Sequence, residues 1–218
     1  MPATSYLNGL TWLGHAAFRW EGGGVTLYLD PWQIPSESHD ADLVLISHPH
    51  FDHLDPASVA KIVKADAEIV TVADCASKLK EAGITNSVHV VKPGDKLQVK
   101  GVAIEVIPAY NISKKFHTKE SGWAGFVLEV NGVRLYHAGD TDFIPEMHGL
   151  KVDVALLPVS GTYVMTAEEA AQAARAINPK VAIPMHYGTI VGTLADAKRF
   201  QTLCGGLIVE ILERGVKR

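Results

Sequence analysis

The stretch DLVLISHPHFDHLD, residues 42–55, constrains the fold of this chain more than any other segment. DLVLIS carries a continuous apolar run of strand length, the mark of a strand buried on both faces. It ends directly in SHPHFDHLD, where three histidines and two aspartates occupy nine positions of a chain that has only 10 histidines. A strand that stops in a polar loop ahead of a helix is a common place for a site. A merely solvated loop would need no such order.

The flanking segments set the architecture. AAFRW and VTLYLD read as strands joined by an EGGG turn, and Asp55 and Pro56 read as the N-cap and first residue of a helix over ASVAKIVK. EIVTV is the next strand, and CASKLKEAG a helix capped by Asp74 and stopped by Gly83. SVHVV, KLQVK and VAIEVIP follow as strands, and GFVLEV-NG-VRLYHAGD gives the strongest hairpin signal, turning at Asn131-Gly132. DVALLP, VAIPM and LIVEIL are expected as later strands. Between them lie helices over TAEEAAQAARAI, opened by a Thr166–Glu169 capping box, and LADAKRFQTL, capped by Thr193. Antiparallel strands with interspersed helices imply an α/β (α+β) domain of sheets covered by helices. No linker is visible, so residues 1–218 are expected to form one domain.

Composition narrows the function. A formal charge of -4 without a basic stripe gives no reason to expect nucleic acid. No 18-residue apolar run and no leader-like N-terminus is present, so neither a membrane segment nor export is expected. Cys75 and Cys204 lie in different elements, which suits two core thiols in a reducing, cytoplasmic setting.

The chemistry of the cluster is metal-binding. His48 and His50 are two apart, so an extended backbone turns both rings to one side, and Pro49 holds His48 extended. Asp52 and His53 follow one turn later and can address a second point. Imidazole with carboxylate suits zinc first, then manganese or iron. Four ligands in one loop do not complete two metal sites, and later strand ends supply candidates: Asp140 in YHAGDT and His186 in IPMHYGT. Alone, the first reads equally as a turn residue and the second as a core histidine.

The order H-x-H-x-D-H, separate histidine, G-D after a hairpin, then histidine at a late strand end resembles the metallo-β-lactamase-fold hydrolases, from TWLGHAAF to PMHYGT. LGHAAF, LDPW, YHAGDT, LLPVSGTYVMTAEEAA and PMHYGT are most similar to a bacterial and archaeal branch. That branch holds ascorbate-6-phosphate lactonases and uncharacterised metal-dependent hydrolases. N-acylphosphatidylethanolamine phospholipase D is a more distant match. The resemblance implies a four-layer αββα sandwich with the site along one edge of its two sheets. It assigns His48 and His50 to a first metal, Asp52, His53 and His186 to a second, and Asp140 to a bridge. His117, 23 residues before Asp140, is the implied remaining ligand, with Asn111 as a rival. Asp30 is implied to orient a ligand imidazole, and His137 to support the site from the strand before Asp140. His15 after Gly14 is a further candidate near the site. Tyr163, Tyr187 and Thr189 lie in glycine-rich segments that could meet substrate.

The expected activity is hydrolysis of an ester-like bond, in a lactone or phosphodiester of a small anionic substrate. A metal-bound hydroxide would attack, and Asp52 would steer the proton. The alternatives are a redox di-iron protein of the same fold and a non-catalytic metal-binding module. The first is disfavoured because such proteins place a glutamate where His50 stands.

Overall fold

The computed structural model describes residues 3–218. The first two residues of the expected 1–218 domain lie outside the described residues. Twelve strands form two six-stranded sheets flanked by four α-helices. The first sheet runs in chain order: β1 (Leu10–Gly14), β2 (Ala17–Gly22), β3 (Val25–Leu29), β4 (Ala41–Ile46), β5 (Val63–Thr71) and β6 (Ser87–Val90). The second holds β7 (Lys96–Val99), β8 (Val102–Pro108), β9 (Ala124–Val130), β10 (Val133–His137), β11 (Val154–Pro158) and β12 (Val181–Met185).

Each sheet opens with antiparallel hairpins and continues with parallel strands. β1, β2 and β3 alternate, whereas β3 through β6 run parallel. β7 through β10 alternate, and β10 through β12 run parallel. Parallel pairs need crossovers. The helices α1 (Pro56–Ile62), α2 (Ala73–Glu81) and α3 (Ala167–Ile177) supply three of them, and α4 (Leu194–Leu203) packs beside α3 and β12. Strands covered on both sides need apolar residues throughout, and residues 43–46 of β4 and all of β11 and β12 are buried. The expected αββα arrangement is the one observed.

The expected hairpin at Asn131-Gly132 pairs Val133 with Val130, and both capping boxes, at Thr166 and Thr193, are formed. Asp55 caps α1 through Ala57 N. The helix over residues 57–64 was expected to run further. It stops at Ile62 because Val63 already pairs with Ala41 in the sheet, so strand pairing overrides local helix pattern. Helix α2 is entered through Val72 rather than capped by Asp74, whose carboxylate instead accepts from Trp123 Nε1 at 3.1 Å. β1 is a strand that no alternation in TWLGHAAF announced.

LIVEIL does not form the expected last strand. Only Val209 bridges to Ala182, through Ala182 N to Ile208 O and Glu210 N to Ala182 O. The next β12 position facing that segment is Pro184, which has no N–H to extend the ladder. The chain then crosses to the other sheet, where Lys217 bridges to Thr11 and Arg218 N donates to Leu10 O. Residues 207–218 thus touch the outer edges of both sheets.

Candidate metal centre

Strand direction brings the polar residues together. β1, β3 and β4 run the same way in one sheet, as do β8, β10 and β12 in the other. His15, Asp30 and the His48–His53 loop follow the C-terminal ends of the first three, while Asn111 and His117, Asp140, and His186 follow the second three. The sheets are joined here by His186 N donating to His15 O at 2.9 Å.

Two groups of potential ligand atoms result, each with all its atoms within 4.8 Å of one another. In the first, His48 Nε2 and His50 Nδ1 are 2.9 Å apart, and His117 Nε2 lies 3.2 Å from His50 Nδ1. Asp140 Oδ2 stands 3.3 Å from His117 Nε2 and 3.8 Å from His48 Nε2. In the second, His53 Nε2 is 3.7 Å and His186 Nε2 3.8 Å from Asp52 Oδ2. Asp140 also faces this group, with Oδ1 3.2 Å from His53 Nε2 and Oδ2 3.2 Å from His186 Nε2. His15 joins it as well, its Nε2 3.0 Å from Asp52 Oδ2. Sequence reasoning had placed His15 only near the site.

The far nitrogens of these rings are held from behind. Ser47 Oγ lies 2.9 Å from His48 Nδ1 and donates to Asp30 Oδ2. Asp30 Oδ2 accepts from His53 Nδ1 at 2.7 Å, and Asn111 Oδ1 lies 3.0 Å from His117 Nδ1. Ser160 Oγ meets His186 Nδ1, and Thr189 Oγ1 meets His15 Nδ1, each at 3.1 Å. Such contacts fix the tautomer that turns Nε2 toward the centre. Asn111 spends its amide nitrogen on Asp142 and on Tyr163 O, so its side chain faces protein partners on every side. Ser47, Ser160 and Trp123 were missed in the sequence. The Trp123 ring lies 5.0 Å from that of His48 and 4.9 Å from that of His50, and no spacing marks a tryptophan for such a place. His137 stands behind the site rather than in it: its Nε2 meets Ala16 O and lies 3.9 Å from Asp30 Oδ2, and its Nδ1 accepts from Gly139 N, next to Asp140. Tyr187 stacks on Trp12 inside the core.

Backbone conformation contributes to the placement. His15, Asp30 and His186 adopt positive φ of 52°, 43° and 61°, a region most side chains avoid, which aims each side chain inward at a strand end. Gly139, at φ 63°, could carry no side chain, because a Cβ there would stand 2.8 Å from Ala124 O. That close approach delivers Asp140 to the point between the two groups.

The electrostatics are those of a crowded, buried polar cluster. Burial pushes His48 well below the ordinary histidine value, and it lowers His15 to about 4. Burial would raise Asp52, but the bond from His15 and the charge of His53 together outweigh it and hold Asp52 at about 2. Burial likewise opposes the charge on Asp140 and His53, yet the neighbours together prevail: His186 and His53 drive Asp140 down, and Asp140 and Asp30 drive His53 up. His53 Nε2, His186 Nε2 and Asp140 Oδ1 are buried and make no hydrogen bond, although Asp140 stands beside both rings. Unpartnered buried polar atoms are costly and call for an explanation. A mixed set of imidazole nitrogens and carboxylate oxygens converging this closely fits divalent cations.

A cavity of about 270 Å³ opens onto this centre, with His50, Asp52, His117 and Asp140 in its lining. Fold and site together define a hydrolase of the metallo-β-lactamase type. A family model described as a beta-lactamase superfamily domain matches residues 9–186. A UPF0173 metal-dependent hydrolase of Thermococcus onnurineus is 36% identical, covering 88% of this chain and 90% of its own. Another, from Thermoplasma acidophilum, is 34% identical with 90% of each chain covered. The solved structure of Igni18, a metallo hydrolase from Ignicoccus hospitalis, aligns with a TM-score of 0.74 at 27% identity over 95% of each chain. The chain belongs to the beta-lactamase superfamily and is a metal-dependent hydrolase of the kind these relatives represent. No described helix is long and apolar enough to cross a membrane.

Proposed function

We propose that the centre holds two divalent cations and hydrolyses an ester-like bond, in a lactone or phosphodiester, of a small substrate. His48, His50 and His117 hold the first cation, Asp52, His53 and His186 the second, and Asp140 lies between them. The observation that carries this reading is the set of three buried, unpartnered atoms on His53, His186 and Asp140. Zinc suits the donors best, with manganese or iron as alternatives. Bound there, the cations would polarise the substrate oxygen and make water a nucleophile at neutral pH. Asp52 stays ionised, held through Oδ2 by His15, and accepts a hydrogen bond from the attacking water. It then passes the proton toward the leaving oxygen. Two cations facing two carboxylates leave the centre net positive, which favours a carbonyl or anionic oxygen at the reacting end.

The test is one kinetic panel. Turnover of a lactone or phosphodiester should vanish with chelator and return with zinc or manganese. Asp52→Ala should lower the rate by about 10²-fold or more. Cys75→Ala and Cys204→Ala should retain it, since both thiols are buried and neither belongs to the two ligand groups. Chelator-resistant turnover that depends on either cysteine overturns the proposal.

A further inference from the structure

The cavity above the centre has a second half that the hydrolytic reading leaves unused. Phe51, Phe116, Tyr163, Ile190 and Val191 line it, and among the described residues no lysine or arginine does. Four of these are large apolar side chains left open to solvent: Phe51 at 66%, Phe116 at 57%, Ile190 at 42% and Tyr163 at 37%. Scattered exposed apolar residues are ordinary, but a cluster rimming a concave site marks a binding surface.

The rim is also built. The Phe116 and Tyr163 rings meet edge to face at 4.5 Å, tying two loops across the mouth. Tyr163 is held at φ 70°, a strained conformation for a bulky residue, and its carbonyl accepts from Asn111 Nδ2 at 2.8 Å. Asn111 is the residue that also meets His117 Nδ1, so one side chain sets both the aromatic rim and a ring of the centre. Phe51 sits inside the histidine loop itself, with its ring 6.2 Å from that of Trp32. The apolar half and the reacting half are therefore continuous.

Resting on the hydrolase reading above, we infer that the substrate is uncharged away from the scissile bond and carries a short aliphatic or aryl group seated on Phe51, Phe116, Tyr163 and Ile190. An anionic group there would lose hydration and find no cation among the lining side chains. The cavity, about 270 Å³ and open to solvent on one side, is small for a ligand site, so what the rim can cover is a short chain or a single ring. The positive centre then takes the carbonyl end, and the rim selects what is attached to it.

The experiment uses the metal-loaded protein with p-nitrophenyl acetate, butyrate and hexanoate, and with a hexanoate analogue bearing a terminal carboxylate. A parallel calorimetric series measures binding of the straight-chain acid amides of the same lengths to metal-free protein. Each added methylene should raise kcat/KM up to about fourfold until the cavity is full. The terminal carboxylate should erase that gain, and amide binding should follow the same order. Phe116→Ala and Ile190→Ser should flatten the dependence on length. Ile208→Ser, equally exposed but beside the start of β12, should keep the wild-type slope. Metal-dependent turnover with no length dependence, or faster turnover of the carboxylate analogue, overturns the apolar substrate and leaves the hydrolase reading intact. Length-dependent amide binding with no turnover of any ester supports the apolar group and removes the ester-like reaction. Association with neutral lipid vesicles that these substitutions weaken, without selection by chain length, overturns the inference in favour of a surface for membranes.

Discussion

Asn111 and His117 show how one hydrogen bond separates a supporting residue from a ligand candidate. Both lie in the right part of the chain, and the family resemblance ranks His117 ahead of Asn111. In the fold, His117 Nε2 faces Asp140, while Asn111 Oδ1 is taken up by the other nitrogen of the same ring. His117→Ala should therefore lower affinity for one metal equivalent more than Asn111→Ala, whose effect should stay within the roughly 10–100-fold of a residue that only orients a ligand. Competition with a fluorescent chelator measures both, and the reverse ranking makes Asn111 the ligand. Cys75 carries a separate residue-scale expectation. Burial raises its thiol from 9.0 to about 12, so above pH 9 the unfolded chain ionises while the folded one does not. The unfolded state then binds fewer protons, and stability falls as pH climbs from 9 toward 12. Denaturant titrations of metal-free protein should show a shallower alkaline decline for Cys75→Ala, and identical slopes contradict that origin. The histidine cluster was legible because ligand chemistry is confined to few residue types. Ser47, Ser160 and Trp123 were not, because serines and tryptophans have many uses and only the fold brings them to the rings.

At the scale of elements, local chemistry was readable where it acts over a few residues. The Thr166–Glu169 box is formed as its spacing implies, with Thr166 Oγ1 accepting from Glu169 N and Glu169 Oε2 accepting from Thr166 N. Thr166→Ala should cost about 1 kcal/mol of stability, read from the denaturant midpoint. An unchanged midpoint removes the cap from the account of α3. Elements set by distant partners were not readable. The end of α1 is decided by Ala41, which recruits Val63 into the sheet, and the fate of residues 207–212 by Pro184 on β12. Neither partner is near in sequence, so hydrophobic pattern alone extended the helix and created a strand.

The whole molecule works as two sheets whose corresponding strands end at one place. Strands β1, β3 and β4 deliver His15, Asp30 and the histidine loop, and β8, β10 and β12 deliver His117, Asp140 and His186. The order of motifs along the chain disclosed that convergence only through family resemblance. Composition could not, since two sheets of this kind can face each other in several ways. Apart from Tyr163, the apolar rim escaped the sequence for a similar reason, as its residues come from four separate loops. The central claim is that this convergence holds two metal ions, and elemental analysis of protein purified without chelator tests it most directly. The account predicts two equivalents of divalent metal per chain, falling when Asp140→Ala removes the carboxylate shared by both groups. One equivalent or none, persisting after zinc or manganese is supplied in excess and then desalted away, contradicts it.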